Sequence, residues 1–360
     1  MNPRTVGMIG AGAWGTAVAK ALAENGHRVE MWAYEQEVVN TVNSAHENQT
    51  YLQGVRLPPE ISASTNLQAV AAEKDYLILA VPSMYVINVV KQMINVPTVQ
   101  EGTAPIAILT KGFIETSTGP GLLTTAIENY LPGFYKDNLV YISGPSHAEE
   151  VARGKITGLI SASKNPKNSI QFRELLKSAT LLVFSSLDIV GVQTAAAIKN
   201  VIAIAFGMLD ALKDLNDKFG DNTESLLLAA GLNEIQLLGT ALGSTHPQTF
   251  TSIAAVGDLD VTCRSVYGRN RRFGREIIHD RKIAPYADIE TILRHIDQIG
   301  YLPEGVAACR HAFAIAQEKR LKTPIVNAVY SILNREAEPF GAIVDLLQKL
   351  SGAELEHFSE

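Results

Sequence analysis

Apolar and polar positions change rhythm about halfway along the chain. In the first half, short β-branched and apolar runs at residues 5–9, 29–34, 76–81, 106–110 and 139–143 alternate with amphipathic stretches of helical period. Runs that are apolar on both faces suit strands of a parallel sheet covered by helices on each side. The pattern therefore predicts an α/β region, residues 1–188, built on a doubly wound parallel sheet. Two further runs, 157–162 and 181–185, either extend that sheet or add a hairpin. From about Leu187 strand signals stop and long apolar helices begin, the first within LDIVGVQTAAAIKNVIAIAFGMLDALK. Residues 189–360 are expected to form an all-α domain, joined to the first without a Pro/Gly linker.

Residues 189–209 are long and apolar enough to span a bilayer, but Gln193, Thr194, Lys199 and Asn200 interrupt them. A lysine at mid-membrane costs about 2.5–3.5 kcal/mol, so a buried central helix is expected and no membrane span. A chain of 360 residues exceeds the usual size of one core, which also favours two domains. The net charge of -6 repels polyanions, so nucleic acid and membrane surfaces are poor partners and small molecules better ones. Cys263 and Cys309 form neither a disulfide framework nor a metal-ligand spacing, and no metal is expected. MNPRTVGMIGAG enters a strand pattern without a cleavable apolar segment, so a reducing cytoplasm is the expected location.

Gly10, Gly12 and Gly15 stand in G-x-G-x-x-G spacing between the first strand pattern and an Ala-rich helix. Such glycines let a pyrophosphate approach the backbone at a helix N-terminus, where free N–H groups and the macrodipole favour an anion. A nicotinamide dinucleotide is the expected cofactor. Glu35 follows the second strand pattern, where an acid can hold the adenosine ribose hydroxyls, and no Arg pair stands there to bind a 2′-phosphate; NAD is favoured over NADP. AVPS (80–83) and TKGF (110–113) end later strands at the carboxyl edge of the sheet, and Lys111 there is expected to face the cofactor cleft. SGPSHAEEV (143–151) repeats the arrangement, with Gly144 and Ser146 near the site and His147 read as a helix-start residue.

Lys199 lies deep in the apolar helix, and a lone buried ammonium is costly. It needs a cleft or a partner, and partial desolvation would bring its pKa toward the range of a general acid and base. Asp258 is its expected partner, Asp260 a cap or surface residue, and Thr262, one helical turn on, a hydrogen-bonding group for substrate. Cys263 reads as a small buried hydrophobe. Five arginines, 264, 269, 271, 272 and 275, cluster in RSVYGRNRRFGRE within an acidic chain. Guanidinium groups match phosphate oxygens, and Arg269 with Asn270 is the leading pair for one phosphomonoester.

GAGAWG, AVPS, TKGF, SGPSHAEEV, AAIKNVIAIAFG, FGDNTES, GDLDVTC, GRNRRFG and LPEGV together resemble the cytosolic, bacterial-type NAD(P)-dependent glycerol-3-phosphate dehydrogenases. The motifs fall in that family's order from Gly10 to Val306, and HENQTYLQGVRLPP resembles members outside bacteria. The resemblance implies a Rossmann-like first domain and hydride exchange between glycerol 3-phosphate and dihydroxyacetone phosphate, supplying glycerol 3-phosphate for phospholipid synthesis. It implies Lys199 as proton donor and acceptor at C2, with Asp258 and Lys111 in the substrate site and Arg269 and Asn270 on the phosphate. Gly144 and Ser146 fall near substrate; Ala148, Trp14, Tyr34 and Glu304 fall on the cofactor side, where Lys111 and Arg269 also reach. A homodimer is implied as well. Ala13 and Gly268 stand where many relatives have Ser, so only backbone contacts are expected from them, Ala13 to the cofactor and Gly268 to the substrate. A β-hydroxy-acid dehydrogenase of similar build, or a cofactor-sensing regulator without turnover, is the alternative; the arginine cluster speaks against the first, and Lys199 with Asp258 against the second.

Overall fold

The structure, a computed structural model, describes residues 2–117, 119–265 and 267–357, the last seven by their backbone alone. Its strands are β1 (Thr5–Ile9), β2 (Arg28–Trp32), β3 (Ile61–Ser64), β4 (Tyr76–Leu79), β5 (Ile106–Ile108), β6 (Phe113–Thr116), β7 (Gly119–Leu122), β8 (Val140–Ser143), β9 (Thr157–Ala162) and β10 (Leu181–Ser186). Eight of them form one sheet in the order β10-β9-β8-β5-β4-β1-β2-β3, and β6 pairs with β7 apart from it. The order reverses at β1, as in a doubly wound sheet, and the carboxyl ends of the strands around that point form the ligand edge in such folds. All pairings from β3 across to β8 are parallel; β9 is antiparallel to β8, and β10 is parallel to β9.

Central strands owe their place to double-sided burial. β8 is buried at all four positions and β1 at all but its first. Val6, Met8, Val29, Met31 and Ile142 share one core with Ala17, Val18, Ala21 and Leu22 of the helix Ala13–Glu24, which lies on the sheet. Two features escape the sequence pattern. β3 has only Ile61 and Ala63 buried, too short an alternation to register. The β6–β7 hairpin is made of FIET and GPGL, and Gly and Pro ordinarily mark a turn. TKGF therefore follows the fifth strand and SGPSHAEEV the eighth.

The chain divides into two compact units, one of Met1–Lys111 with Leu122–Val192, the other of Gly112–Gly121 with Gln193–Glu360. The hairpin thus belongs with the helices, and β6 packs on the helix Glu304–Lys319. Beyond Val192 every described element is helical. The 27-residue helix Ile189–Leu215 is long and apolar enough to cross a membrane, yet 94% of its most apolar window is buried within the protein.

Candidate active site

In the first unit the glycine turn has the geometry its spacing requires. Gly10 has a φ of +123°, and a Cβ there would stand 2.7 Å from the backbone of Ala80. A Cβ on Gly15 would meet the carbonyl of Gly10 at 2.3 Å, so both positions need glycine for helix and strand to approach. At Gly12, by contrast, an added Cβ would find nothing within 4 Å, which leaves open space directly over the N-terminus of the helix Ala13–Glu24. The indole Nε1 of Trp14 is buried there and has no hydrogen-bond partner among the described residues. Open space, free helix N–H groups and an orphaned donor fit a pyrophosphate.

Asn48 was not singled out by the sequence, yet it anchors this turn. Fully buried, it donates to the carbonyl of Ala11 at 2.7 Å and to the hydroxyl of Thr16 at 2.8 Å. Tyr34, just past β2, is 83% exposed. At the carboxyl edge of the sheet the Lys111 ammonium donates to the carbonyl of Gly144 at 3.4 Å, and the Ser146 hydroxyl donates to the same oxygen at 2.9 Å. Gly144 has a φ of +125°, and a side chain there would strike the backbone of Gly158. His147 caps the short helix Ala148–Ala152, the place its sequence suggests. Gly10, Gly12, Ala13, Trp14, Gly15, Tyr34, Lys111, Gly144, Ser146 and Ala148 all belong to this unit.

The second unit holds Lys199, Asp258, Thr262, Arg269, Asn270 and Glu304. Lys199 is only 6% exposed, and its ammonium is bonded to the carboxylate of Asp258, itself wholly buried. It also donates to the Thr262 hydroxyl at 3.0 Å, while that hydroxyl donates to the Asp258 carbonyl at 2.5 Å. Removing one partner from a buried ion pair costs about 3–5 kcal/mol, so Asp258 is what makes a lysine tolerable at this depth. Thr262 thereby positions the pair, and its oxygen keeps a second lone pair for a further donor. Next to the lysine, Asn200 is buried and its Nδ2 has no partner among the described residues. An unpaired buried donor costs about 1–3 kcal/mol unless something fills the place opposite it. Its amide gave no sequence signal that separates it from an ordinary polar helix residue. Burial pushes the Cys263 thiol far above its ordinary pKa, so it offers no nucleophile.

The arginine cluster resolves residue by residue. Arg264 pairs with Asp260, Arg271 with the buried Asp210, Arg272 with Glu276 and Arg275 with Asp214. Arg269 alone of the five is exposed without a partner among the described residues. It opens the helix Arg269–His279, with Gly268 as the capping residue. Asn270 is buried beside it; its Oδ1 accepts from the N–H of Gly305 at 2.9 Å, which turns the Nδ2 donor the other way. This helix lies in backbone contact with Ile189–Leu215, because an added Cβ would stand 1.9 Å from the Arg271 carbonyl at Gly207 and 2.0 Å from the Ile204 carbonyl at Gly274. Glu304, in the first turn of Glu304–Lys319, is half-buried next to Gly305. No group of three or more His, Cys, Asp or Glu able to hold a metal ion occurs among the described residues.

Two family models match this chain, one after the other. Residues 5–169 match the model of the NAD-dependent glycerol-3-phosphate dehydrogenase N-terminus, and residues 188–344 that of its C-terminus. A glycerol-3-phosphate dehydrogenase [NAD(P)+] of Treponema denticola is 52% identical over 354 residues, 97% of this chain and 99% of its own length. One from Bacillus velezensis is 34% identical, covering 98% of this chain and 96% of its own length. The crystal structure of glycerol-3-phosphate dehydrogenase from Coxiella burnetii superposes with a TM-score of 0.82 at 30% identity, over 96% of this chain and 99% of that one.

Proposed function

This chain belongs to the NAD-dependent glycerol-3-phosphate dehydrogenase family, and from that premise we infer that Lys199 is the group that moves the proton. The enzyme interconverts glycerol 3-phosphate and dihydroxyacetone phosphate with NAD(P). A hydroxy-acid substrate and a regulator without turnover both fall away.

The observation that carries the reading is a buried ammonium held by Asp258 and Thr262, beside an amide donor that has no partner among the described residues. Gly12, the N-terminus of the helix Ala13–Glu24 and the Ala13 backbone would hold the cofactor's pyrophosphate, with Trp14, Tyr34 and Ala148 as further cofactor residues. When bound, the nicotinamide gives or takes the hydride at C2. As dihydroxyacetone phosphate is reduced, negative charge develops on the C2 oxygen, and Lys199 stabilises it and donates the proton that makes the hydroxyl. The Asn200 amide donates to the same oxygen. In the oxidative direction the neutral amine accepts the hydroxyl proton, and Asp258 keeps it aimed in both protonation states. Arg269, Asn270 and the N–H groups of the turn they open hold the substrate phosphate, Gly268 adding at most a backbone contact. We assign Lys111, Ser146 and Gly144 to the substrate, and Lys111, Arg269 and Glu304 also to the cofactor, as the family resemblance implies. We place the enzyme in the cytoplasm as a homodimer that supplies phospholipid synthesis; the buried thiols Cys263 and Cys309 suit a reducing compartment.

Single-turnover and steady-state assays of Lys199→Ala test the central assignment. Turnover is expected to fall at least about 100-fold with NADH binding retained, and Lys199→Arg is expected not to restore it, since a guanidinium holds its proton. Near-normal turnover in Lys199→Ala would remove the lysine from the mechanism.

A further inference from the structure

We propose that the loop after the helix Gln36–Ala45 makes this a dehydrogenase selective for NAD, by fixing the Glu35 carboxylate against a 2′-phosphate through Tyr51 and Asn48. The inference rests on the cofactor lying over the glycine turn, as read above. With the pyrophosphate there, the adenosine ribose of a dinucleotide falls beyond the end of the second strand of such a sheet. β2 ends at Trp32, whose carbonyl accepts from the N–H of Gly10 at 3.1 Å, so strand end and glycine turn are bonded together. Glu35 lies three residues on, exposed, at the start of the helix Gln36–Ala45.

An exposed glutamate on a helix end ordinarily samples several rotamers. This one is held: the Tyr51 hydroxyl donates to its Oε1 at 2.8 Å. Tyr51 is held in turn, its backbone N–H donating to Oδ1 of Asn48 at 3.0 Å. The other end of the Asn48 side chain bonds Ala11 and Thr16, inside the glycine turn. One buried amide therefore ties the pyrophosphate turn to the residue that orients the carboxylate. The Tyr51 hydroxyl keeps its proton to about 12, raised by burial and by its bond to Glu35, so it stays a donor throughout the neutral range.

A fixed carboxylate accepts hydrogen bonds from a ribose diol but repels a phosphate dianion in the same place. Between the end of β2 and Tyr51 the sequence carries Glu35, Glu37 and Glu47 and no Lys or Arg, and no cation is paired with the Glu35 carboxylate among the described residues. Selectivity is then a difference of two affinities, most of it from rejecting the phosphorylated form. Glu35 is the specificity-determining residue; Tyr51 and Asn48 are positioning residues.

The test is fluorescence titration of the full-length protein with NADH and with NADPH, alongside thermal melting to confirm that each variant folds. Wild type is expected to bind NADH at least about tenfold more tightly than NADPH, the ratio set by roughly one charge–charge contact. Glu35→Gln should close most of that gap, chiefly by tightening NADPH, and Tyr51→Phe should narrow it by about threefold with the melting temperature kept. Equal affinity of wild type for the two nucleotides, or an unchanged ratio in Glu35→Gln, would overturn the proposal. An unchanged ratio in Tyr51→Phe would overturn the positioning role. Failure of wild type to bind either nucleotide would instead overturn the cofactor site itself.

Discussion

Removing the guanidinium of Arg269 should act on substrate capture and spare the chemical step. A charge-assisted bond to phosphate contributes about 1.5–3 kcal/mol, so Arg269→Ala is expected to raise KM for dihydroxyacetone phosphate about 10- to 100-fold. Reduction of unphosphorylated dihydroxyacetone should be little altered by the same change, and an unchanged KM for the phosphorylated substrate would contradict the assignment. The prediction attaches to Arg269 because Arg264, Arg271, Arg272 and Arg275 are already engaged by carboxylates. The sequence ranked Arg269 first with Asn270 without showing where Arg271 and Arg275 were committed, since their partners Asp210 and Asp214 lie 61 positions away in the chain, whereas Arg264 and Arg272 pair within one helical turn. Lys199 was more legible, because a charge in the middle of a long apolar helix has to be justified by something. Asn200 and Asn48 were not, since an amide in a helix or loop looks the same in sequence whether or not it holds anything.

Among the elements, the crossing of Ile189–Leu215 with Arg269–His279 depends on two glycines that leave no room for a methyl group. Gly207→Ala should therefore push the helix Arg269–His279 away from the helix that carries Lys199. We expect a loss of about 1–3 kcal/mol in stability, typical of overpacking, together with a higher KM for substrate. A fully stable variant with normal KM would show that the crossing is looser than its geometry. Glu234 is buried on the helix Asp221–Ala241, where its carboxyl accepts the N–H groups of Ile325 and Val326 at the start of Pro324–Leu333. Burial outweighs those donors and lifts its pKa from 4.5 to about 8. Between these values the unfolded chain releases the proton that the folded one keeps, so this residue's contribution falls as pH rises from about 5 to 8. Melting curves across that interval should decline more steeply for wild type than for Glu234→Gln; parallel curves would mean that the carboxyl is ionised in the fold. Of the elements themselves, long double-sided apolar runs were readable as central strands. β3 and the β6–β7 hairpin were not, because four-residue strands with half their positions exposed or glycine-rich carry no periodic signal.

For the whole molecule, the division into two units predicts two separable footprints. Saturation with NADH alone should slow hydrogen exchange at the glycine turn, residues 10–16, and glycerol 3-phosphate alone should slow it in the first turns of Arg269–His279. Each ligand at about 100 times its Kd stabilises whatever binds it by about 2.7 kcal/mol, enough to read. Protection by NADH confined to the second unit would reverse the assignment of the two ligands.

The excursion of the chain between Lys111 and Leu122 limits how the enzyme can be dissected. A gene truncated after residue 188 would encode the nucleotide-binding sheet with Phe113 and Ile114 stripped of the helix that β6 packs on, although both side chains are buried in the intact protein. The fragment would display a greasy two-stranded flap and tend to aggregate, whereas a version with residues 112–121 replaced by a short polar turn should stay monodisperse.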